Sequence, residues 1–191
     1  MMRKMQSKKN LRKASLLFRR SLTSQQLSQY SADICRQVLS LPVYQQSECV
    51  MAFASMPDEV QTQDILQDVL RRGKILCLPY IEDLTNGIMR AAVVQDLAKL
   101  TAGKSNILTV AADERHFVDP SDIDLIIVPG VAFSSSKQRL GMGGGFYDRF
   151  LPKAAGAVKA GVFFAGQEAA VLPVEPHDIL LDMVITEKKI F

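Results

Sequence analysis

The chain is poor in the residues that build several common kinds of site. Three of its 191 residues are cysteines and two are histidines. Cys35, Cys49 and Cys77 form no CxxC pair and are odd in number, so nothing suggests a disulfide framework, and this usage fits a reducing cytosol. Cys49 and Cys77 lie in apolar runs and are expected as small core residues. With only His116 and His177, a histidine-rich zinc site is not expected; both read as surface or loop residues. No stretch approaches the ~18 to 20 apolar residues of a membrane span, and no secretory h-region stands near the start, so the expected location is cytoplasmic and no membrane partner is expected. Aromatic residues make up 7% of the chain and only Phe18 interrupts its opening basic run, which argues against a base-stacking platform.

What is present suits a globular domain. Hydrophobic residues make up 48% and charged residues 23%, and a chain of this length buries roughly 70% of its unfolded surface. Residues 1–191 are expected to form one domain, with a helical part over 1–42 and an α/β core over 45–191. The net charge of +3 is unevenly spread. Residues 1–20 carry Arg3, Lys4, Lys8, Lys9, Arg12, Lys13, Arg19 and Arg20 with no acid, leaving the rest of the chain at −5. Three readings of that segment stay open: a solvated helix, a helix contacting the phosphates of a ligand, and a transit or nucleic-acid-binding arm.

Leu11, Ala14, Ser15, Phe18 and Leu22 recur at helical spacing and predict an amphipathic helix. Thr23-Ser24-Gln25-Gln26 resembles a capping box opening a second helix from about Ser24 to Ser40, ended by Pro42. The continuous apolar run from Cys49 to Ala54 predicts a strand covered on both faces. A helix from Thr62 to Arg72, closed by Gly73, and a strand from Ile75 to Pro79 complete a βαβ unit. Residues 88–94 predict a weaker strand, residues 96–122 loops around a short strand, and Leu125–Val128 another buried strand. Strands at Lys159–Phe164 and Met183–Thr186 follow. The implied class is a three-layer, Rossmann-like α/β fold: a central, largely parallel sheet, helices on both faces and two N-terminal helices.

Residues 139–149, RLGMGGGFYDR, are the most informative stretch. Gly141, Gly143, Gly144 and Gly145 fall within five positions. Such a loop lets backbone N–H groups line a concavity suited to phosphate oxygens, and the helix expected from Phe146 adds its amino end. Arg139 supplies a fork of donors, and Asp148 suits a cation that bridges phosphates. No Lys-Ser or Lys-Thr follows the glycines, so this is not a Walker A loop, and Phe146 stands where a dinucleotide fingerprint needs its third glycine.

PGVAFSSSKQRLGMGGGFYDRFL resembles the signature of the 5-formyltetrahydrofolate cyclo-ligase family. KKNLR is similar to that family's K-x-x-L-R helix, FASMPDEVQT to its loop after the first strand, and PHDILLDMVIT to its last conserved segment, so the resemblance spans roughly residues 8–187. It implies an enzyme that uses ATP and Mg2+ to convert 5-formyltetrahydrofolate into 5,10-methenyltetrahydrofolate, ADP and phosphate through a phosphorylated formyl group. Lys8, Arg12, Arg139, Leu140, Gly141, Met142, Gly143, Gly144, Gly145, Phe146 and Tyr147 would then bind ATP. Ala54, Met56 and Glu59, with Met142, Gly143, Gly144, Gly145 and Phe146, would bind the folate. Glu59 would accept hydrogen bonds from the pterin edge. Asp148 and Asp182 would hold the magnesium, and Arg139 and Asp148 would be catalytic.

Plainer roles stand beside these: core packing for Phe146 and Tyr147, capping for Asp148 and Asp182, and support of the following helix for Glu59. The chain departs from the family pattern at Ser134, where an acid is expected, and at Lys137, where glycine is common. The implied partners are ATP and a reduced folate, with or without a polyglutamate tail, and the implied state is a monomer. A nucleic-acid-binding module led by the basic helix, or another phosphate-ligand enzyme on a similar scaffold, are the competing functions.

Overall fold

The computed structural model describes residues 7–104, 107–111, 115–173, 175 and 178–191; Arg3, Lys4 and His177 lie outside them. Helices α1 (Lys8–Ser21) and α2 (Ser24–Ser40) open the fold. The predicted capping box is present: the Thr23 hydroxyl accepts from Gln26 N at 3.1 Å and the Gln26 side chain accepts from Thr23 N at 3.0 Å. Pro42 does more than end α2, since it opens a short helix α3 (Pro42–Gln46), where a missing N–H costs nothing.

The chain then enters β1 (Cys49–Met51), α4 (Gln63–Arg71) and β2 (Ile75–Asp83), the predicted βαβ unit. The first strand is shorter than its apolar run and the second longer, passing through Pro79. Strand β3 (Ile88–Val94) follows, then three two-residue strands, β4 (Thr101–Ala102), β5 (Leu108–Thr109) and β6 (Phe117–Val118), where one was expected. Next come β7 (Leu125–Val128), a hairpin of β8 (Ala132–Phe133) and β9 (Arg139–Leu140), helix α5 (Phe146–Phe150), β10 (Val158–Val162) and β11 (Met183–Ile185).

Seven strands form one sheet in the order β11-β10-β7-β1-β2-β3-β6. The first five are mutually parallel, and β3 and β6 add an antiparallel edge. Alternation along each strand divides the core in two. Val50, Leu76, Leu78, Leu125, Ile127 and Val162 pack with Ile34 and Val38 of α2 and Ile65 and Val69 of α4. Met51, Cys77, Ile126, Val128 and Val184 face the other way, toward Phe150, Leu151 and Ala154. Both faces are thus covered, as a mostly parallel sheet requires, and each fully buried aliphatic side chain contributes about 1.5–3 kcal/mol. All three cysteines are buried and free.

Helix α1 corrects the periodicity argument. Its buried residues are Leu11, Ser15 and Arg19, while Ala14 is exposed and Phe18 and Leu22 are half-buried. The stripe turned into the protein is therefore largely polar and basic.

Candidate active site

Ligands of open parallel sheets bind beyond the carboxyl ends of the strands, and the chemistry-bearing residues gather there. After β7 the chain runs through Pro129-Gly130 into the β8–β9 hairpin, which returns Arg139 to the end of β7. The Arg139 side chain is 4% exposed; its Nη2 donates to Asp148 Oδ1 at 2.7 Å and its Nη1 to Pro129 O at 3.4 Å. The guanidinium lies 5.5 Å from the centre of the Tyr147 ring. Arg139 Nε and the Tyr147 hydroxyl are buried with no hydrogen-bond partner among the described residues. Orphaned polar atoms are uncommon in folded proteins, and these two belong to residues whose guanidinium and ring lie near each other. Burial raises the Tyr147 pKa despite the opposing Arg139 charge, so this hydroxyl stays a neutral donor.

The glycine loop links Arg139 to α5. Gly143 has φ +112° and Gly145, at the N-cap, has φ +67°, conformations that side chains with Cβ rarely adopt. A Cβ on Gly145 would lie 2.4 Å from Arg149 Nη1. Helix α5 is only five residues long, so the loop's own amides and the flanking cations matter more here than a helix dipole. Arg12 of α1 lies across the loop, with Nε donating to Gly141 O at 2.8 Å. Lys8, one turn earlier, is 2.9 Å from Asp178 and 3.0 Å from Glu175. Burial alone lowers the Lys8 pKa, but the hydrogen bonds and charges of those two carboxylates outweigh it, and the ammonium titrates above its usual value. Met142 and Gly144 are exposed on the loop, whereas Leu140 packs with Leu11, Ala132 and Leu172. Leu140 therefore has only its backbone to offer a ligand. Phe146 and Tyr147 are half-buried against the second core cluster.

Glu59 lies on the other side of Pro129-Gly130, lining a small void with Gly130, Phe53 and Arg19. Its Oε2 accepts from Met56 N at 3.0 Å and its Oε1 is 3.7 Å from Arg19 Nη2. Burial raises its pKa, while the Met56 amide and Arg19 work against that rise. The void that Glu59 lines is also lined by Pro129, whose carbonyl accepts from Arg139 Nη1 at 3.4 Å, so the carboxylate and the Arg139–Asp148 pair lie on either side of one turn. Ala54 is half-buried and Met56 exposed at its edge.

Asp182 is not joined to Asp148. It sits at the start of β11, where its Oδ2 accepts from Lys159 N at 2.7 Å and lies 3.8 Å from Lys159 Nζ. In register it is level with Lys159 and Ile126, three residues short of Pro129 and two strands across. Among the described hydrogen bonds and ion pairs Asp182 is joined to Lys159 and Asp148 to Arg139, and none joins the two carboxylates. The aspartate four residues earlier, Asp178, is the one brought to the α1 side of the glycine loop. Among the described residues no group of three or more His, Cys, Asp and Glu side chains could hold a metal. Asp148 fits magnesium as a lone carboxylate completed by phosphate oxygens and water, because its Oδ2 takes no hydrogen bond from the described residues.

Sequence reasoning passed over Arg19, Asp178 and Gln167. Gln167 is 3% exposed and clamps the turn behind the site, donating to Val131 O at 2.7 Å and Gly130 O at 3.3 Å. The departure at Lys137 has a structural counterpart: its φ is +63°, the one positive value off glycine among the described residues, which is why a glycine suits that turn. Ser134 is buried and hydrogen-bonds Gln138.

A sequence profile described as the 5-formyltetrahydrofolate cyclo-ligase family matches residues 4–187. The 5-formyltetrahydrofolate cyclo-ligase of Escherichia coli K12 is 31% identical over 175 residues, covering 91% of this chain and 96% of that protein. The enzyme of the same name from Mus musculus is 28% identical, covering 88% and 87%. The NMR structure of Aquifex aeolicus 5,10-methenyltetrahydrofolate synthetase superimposes with a TM-score of 0.85 at 33% identity, over 96% of this chain and 91% of that one.

Proposed function

The chain belongs to the 5-formyltetrahydrofolate cyclo-ligase family, and from that premise we propose that it closes the formyl group of 5-formyltetrahydrofolate onto the neighbouring nitrogen at the expense of ATP, with magnesium. The observation that carries this reading is the Arg139–Asp148 pair, with its buried guanidinium, at the root of a glycine loop that Arg12 crosses.

A formamide oxygen is a poor leaving group, so ring closure needs activation. The formyl oxygen attacks the γ-phosphorus of ATP and ADP departs. The second nitrogen then attacks the formyl carbon, loses its proton, and phosphate leaves with the former formyl oxygen, giving the methenyl product. The protein's task is alignment and charge neutralisation. Lys8, Arg12, Arg139 and the amides of Gly141 to Gly145 hold the triphosphate, with backbone from Leu140 and contacts from Met142, Phe146 and Tyr147. Glu59 takes the amino-pyrimidine edge, and Ala54, Met56 and Phe146 line the ring. When bound through Asp148, magnesium would neutralise charge between the phosphates. Arg139 Nε and the Tyr147 hydroxyl donate to ligand oxygens, which resolves their lack of partners.

The same geometry favours this reading over a nucleic-acid module. Lys8, Arg12 and Arg19 turn into the protein to meet Asp178, Gly141 O and Asp58, while Lys9, Lys13 and Arg20 face solvent. Purified protein supplied with 5-formyltetrahydrofolate, ATP and magnesium should generate the absorbance of the methenyl product, and omission of ATP should abolish it. No product at high enzyme concentration would refute the proposal.

A further inference from the structure

Arg12 and Arg19 are seven residues apart on α1, two turns and about 10.5 Å along one face. Arg12 holds the glycine loop; Arg19 holds a different loop. Its guanidinium is 4% exposed, with Nε donating to Asp58 O at 2.8 Å and Nη2 to Asp58 Oδ1 at 2.6 Å, and Glu59 Oε1 3.7 Å away. Burying a guanidinium is costly unless its donors are met, and here they are met by the turn that carries Glu59. The void beside Arg19 and Glu59 is about 10 Å³, at the lower limit for one water, so little room is left beside the guanidinium itself.

We propose that Arg19 is the positioning residue of the folate-recognition loop: from α1 it fixes Pro57–Glu59 and keeps the Glu59 carboxylate charged and aimed at the bound folate. The inference rests on Glu59 recognising folate, as proposed above. Without Arg19, adjacent Asp58 and Glu59 would repel each other across a turn held by Glu59 N to Met56 O at 3.0 Å, by Met56 N to Glu59 Oε2 at 3.0 Å and by Gln61, whose side chain donates to Met56 O and Glu59 O. The charges that act on Glu59 are Arg19 from α1 and Asp58 from its own loop, and Glu59 in turn acts on the Tyr147 hydroxyl of α5. Arg19 is the single cation among them, and it opposes the upward pull of burial on the Glu59 pKa.

The test is direct titration of 5-formyltetrahydrofolate and, separately, a non-hydrolysable ATP analogue against the wild type, Arg19→Met, Arg19→Lys and Asp58→Asn, across pH. Arg19→Met should weaken folate binding by about tenfold or more with nucleotide affinity nearly unchanged, and move the acid limb of folate binding up by on the order of one pH unit. Arg19→Lys should restore the limb. Asp58→Asn, which removes the anion that Arg19 pairs with while keeping an acceptor oxygen, should weaken folate binding through a loosened loop without raising the acid limb, since Asp58 itself pushes the Glu59 pKa up, and it serves if Arg19→Met does not fold. Wild-type folate affinity, an unmoved acid limb, or equal loss of both ligands in Arg19→Met would overturn the proposal. A wild type that binds nucleotide but no folate would instead refute the reading of Glu59.

Discussion

Arg139 and Asp148 meet across nine residues of chain, with Nη2 2.7 Å from Oδ1, and the contact closes the glycine loop at its base. The pair fixes where the loop amides point, while Arg139 Nε and the neighbouring Tyr147 hydroxyl are left without partners among the described residues. A ligand entering between the loop and Arg12 would meet groups already oriented, which is the condition for electrostatic stabilisation of a transferring phosphoryl group.

Arg139→Ala and Asp148→Asn should each lower turnover by about 10²–10³-fold. Steady-state rates at saturating substrates check this, and wild-type rates in both variants would refute the assignment.

The two aspartates four residues apart should separate cleanly. Lys8→Met and Asp178→Asn should raise the KM for ATP by about tenfold, the scale of one well-placed charge, with little change in the KM for folate. Asp182→Asn should leave both within about twofold, because its carboxylate serves Lys159. A collapse of turnover in Asp182→Asn would show that the site reaches further than the strand register allows.

Glu59 must be ionised to accept two hydrogen bonds, and burial holds its pKa above the ordinary 4.5. Folate affinity should therefore fall with acidification at a pH above the usual carboxylate range. Glu59→Gln should weaken binding at neutral pH and flatten that acid limb; a limb persisting in the variant would assign it to another group.

Several features were legible in the sequence because local chemistry dictates them. Continuous apolar runs at Cys49–Ala54 and Leu125–Val128 mark strands buried on both faces, Ile75–Pro79 marks the next strand, and Thr23 with Gln26 marks a helix start. The β8–β9 hairpin was not legible, since two-residue strands carry no period. Nor was the buried stripe of α1, because periodicity assigns apolar residues to the interior and here Arg19 lies inside, neutralised by Asp58 39 positions away. Motif spacing placed Arg139, Asp148 and the glycines on one loop, and the resemblance pointed to Asp182 rather than Asp178. Only the pairing of β10 with β11, and of Lys8 with Asp178, separates them.

Away from the site, Asp68 is buried under Tyr44, Arg71 and Arg72. Burial raises its pKa, but the hydrogen bonds from Tyr44 and the two arginines prevail and lower it from 3.8 to about 2. A depressed carboxylate stabilises the fold above its unfolded pKa and loses that contribution as pH falls through the folded one. Asp68→Asn should thus lower Tm at neutral pH, with the gap to wild type narrowing between about pH 4 and pH 2. A gap independent of pH would contradict this.

Lys137 holds φ +63° at the tip of the β8–β9 hairpin. Lys137→Gly removes that strain at some cost in unfolded-chain entropy, and should raise unfolding free energy by about 0.5–1 kcal/mol. Denaturant melts of both proteins check it; a less stable variant would show that the contact of Lys137 Nζ with Asp182 O, at 3.1 Å, outweighs the strain.

The central claim is that the formyl oxygen is phosphorylated before the ring closes. Substrate carrying heavy oxygen in the formyl group tests it most directly, by mass analysis of the phosphate released in a single ATP-dependent turnover. The account predicts one labelled oxygen in each phosphate. Methenyl product formed with unlabelled phosphate, and the label in water, would contradict it.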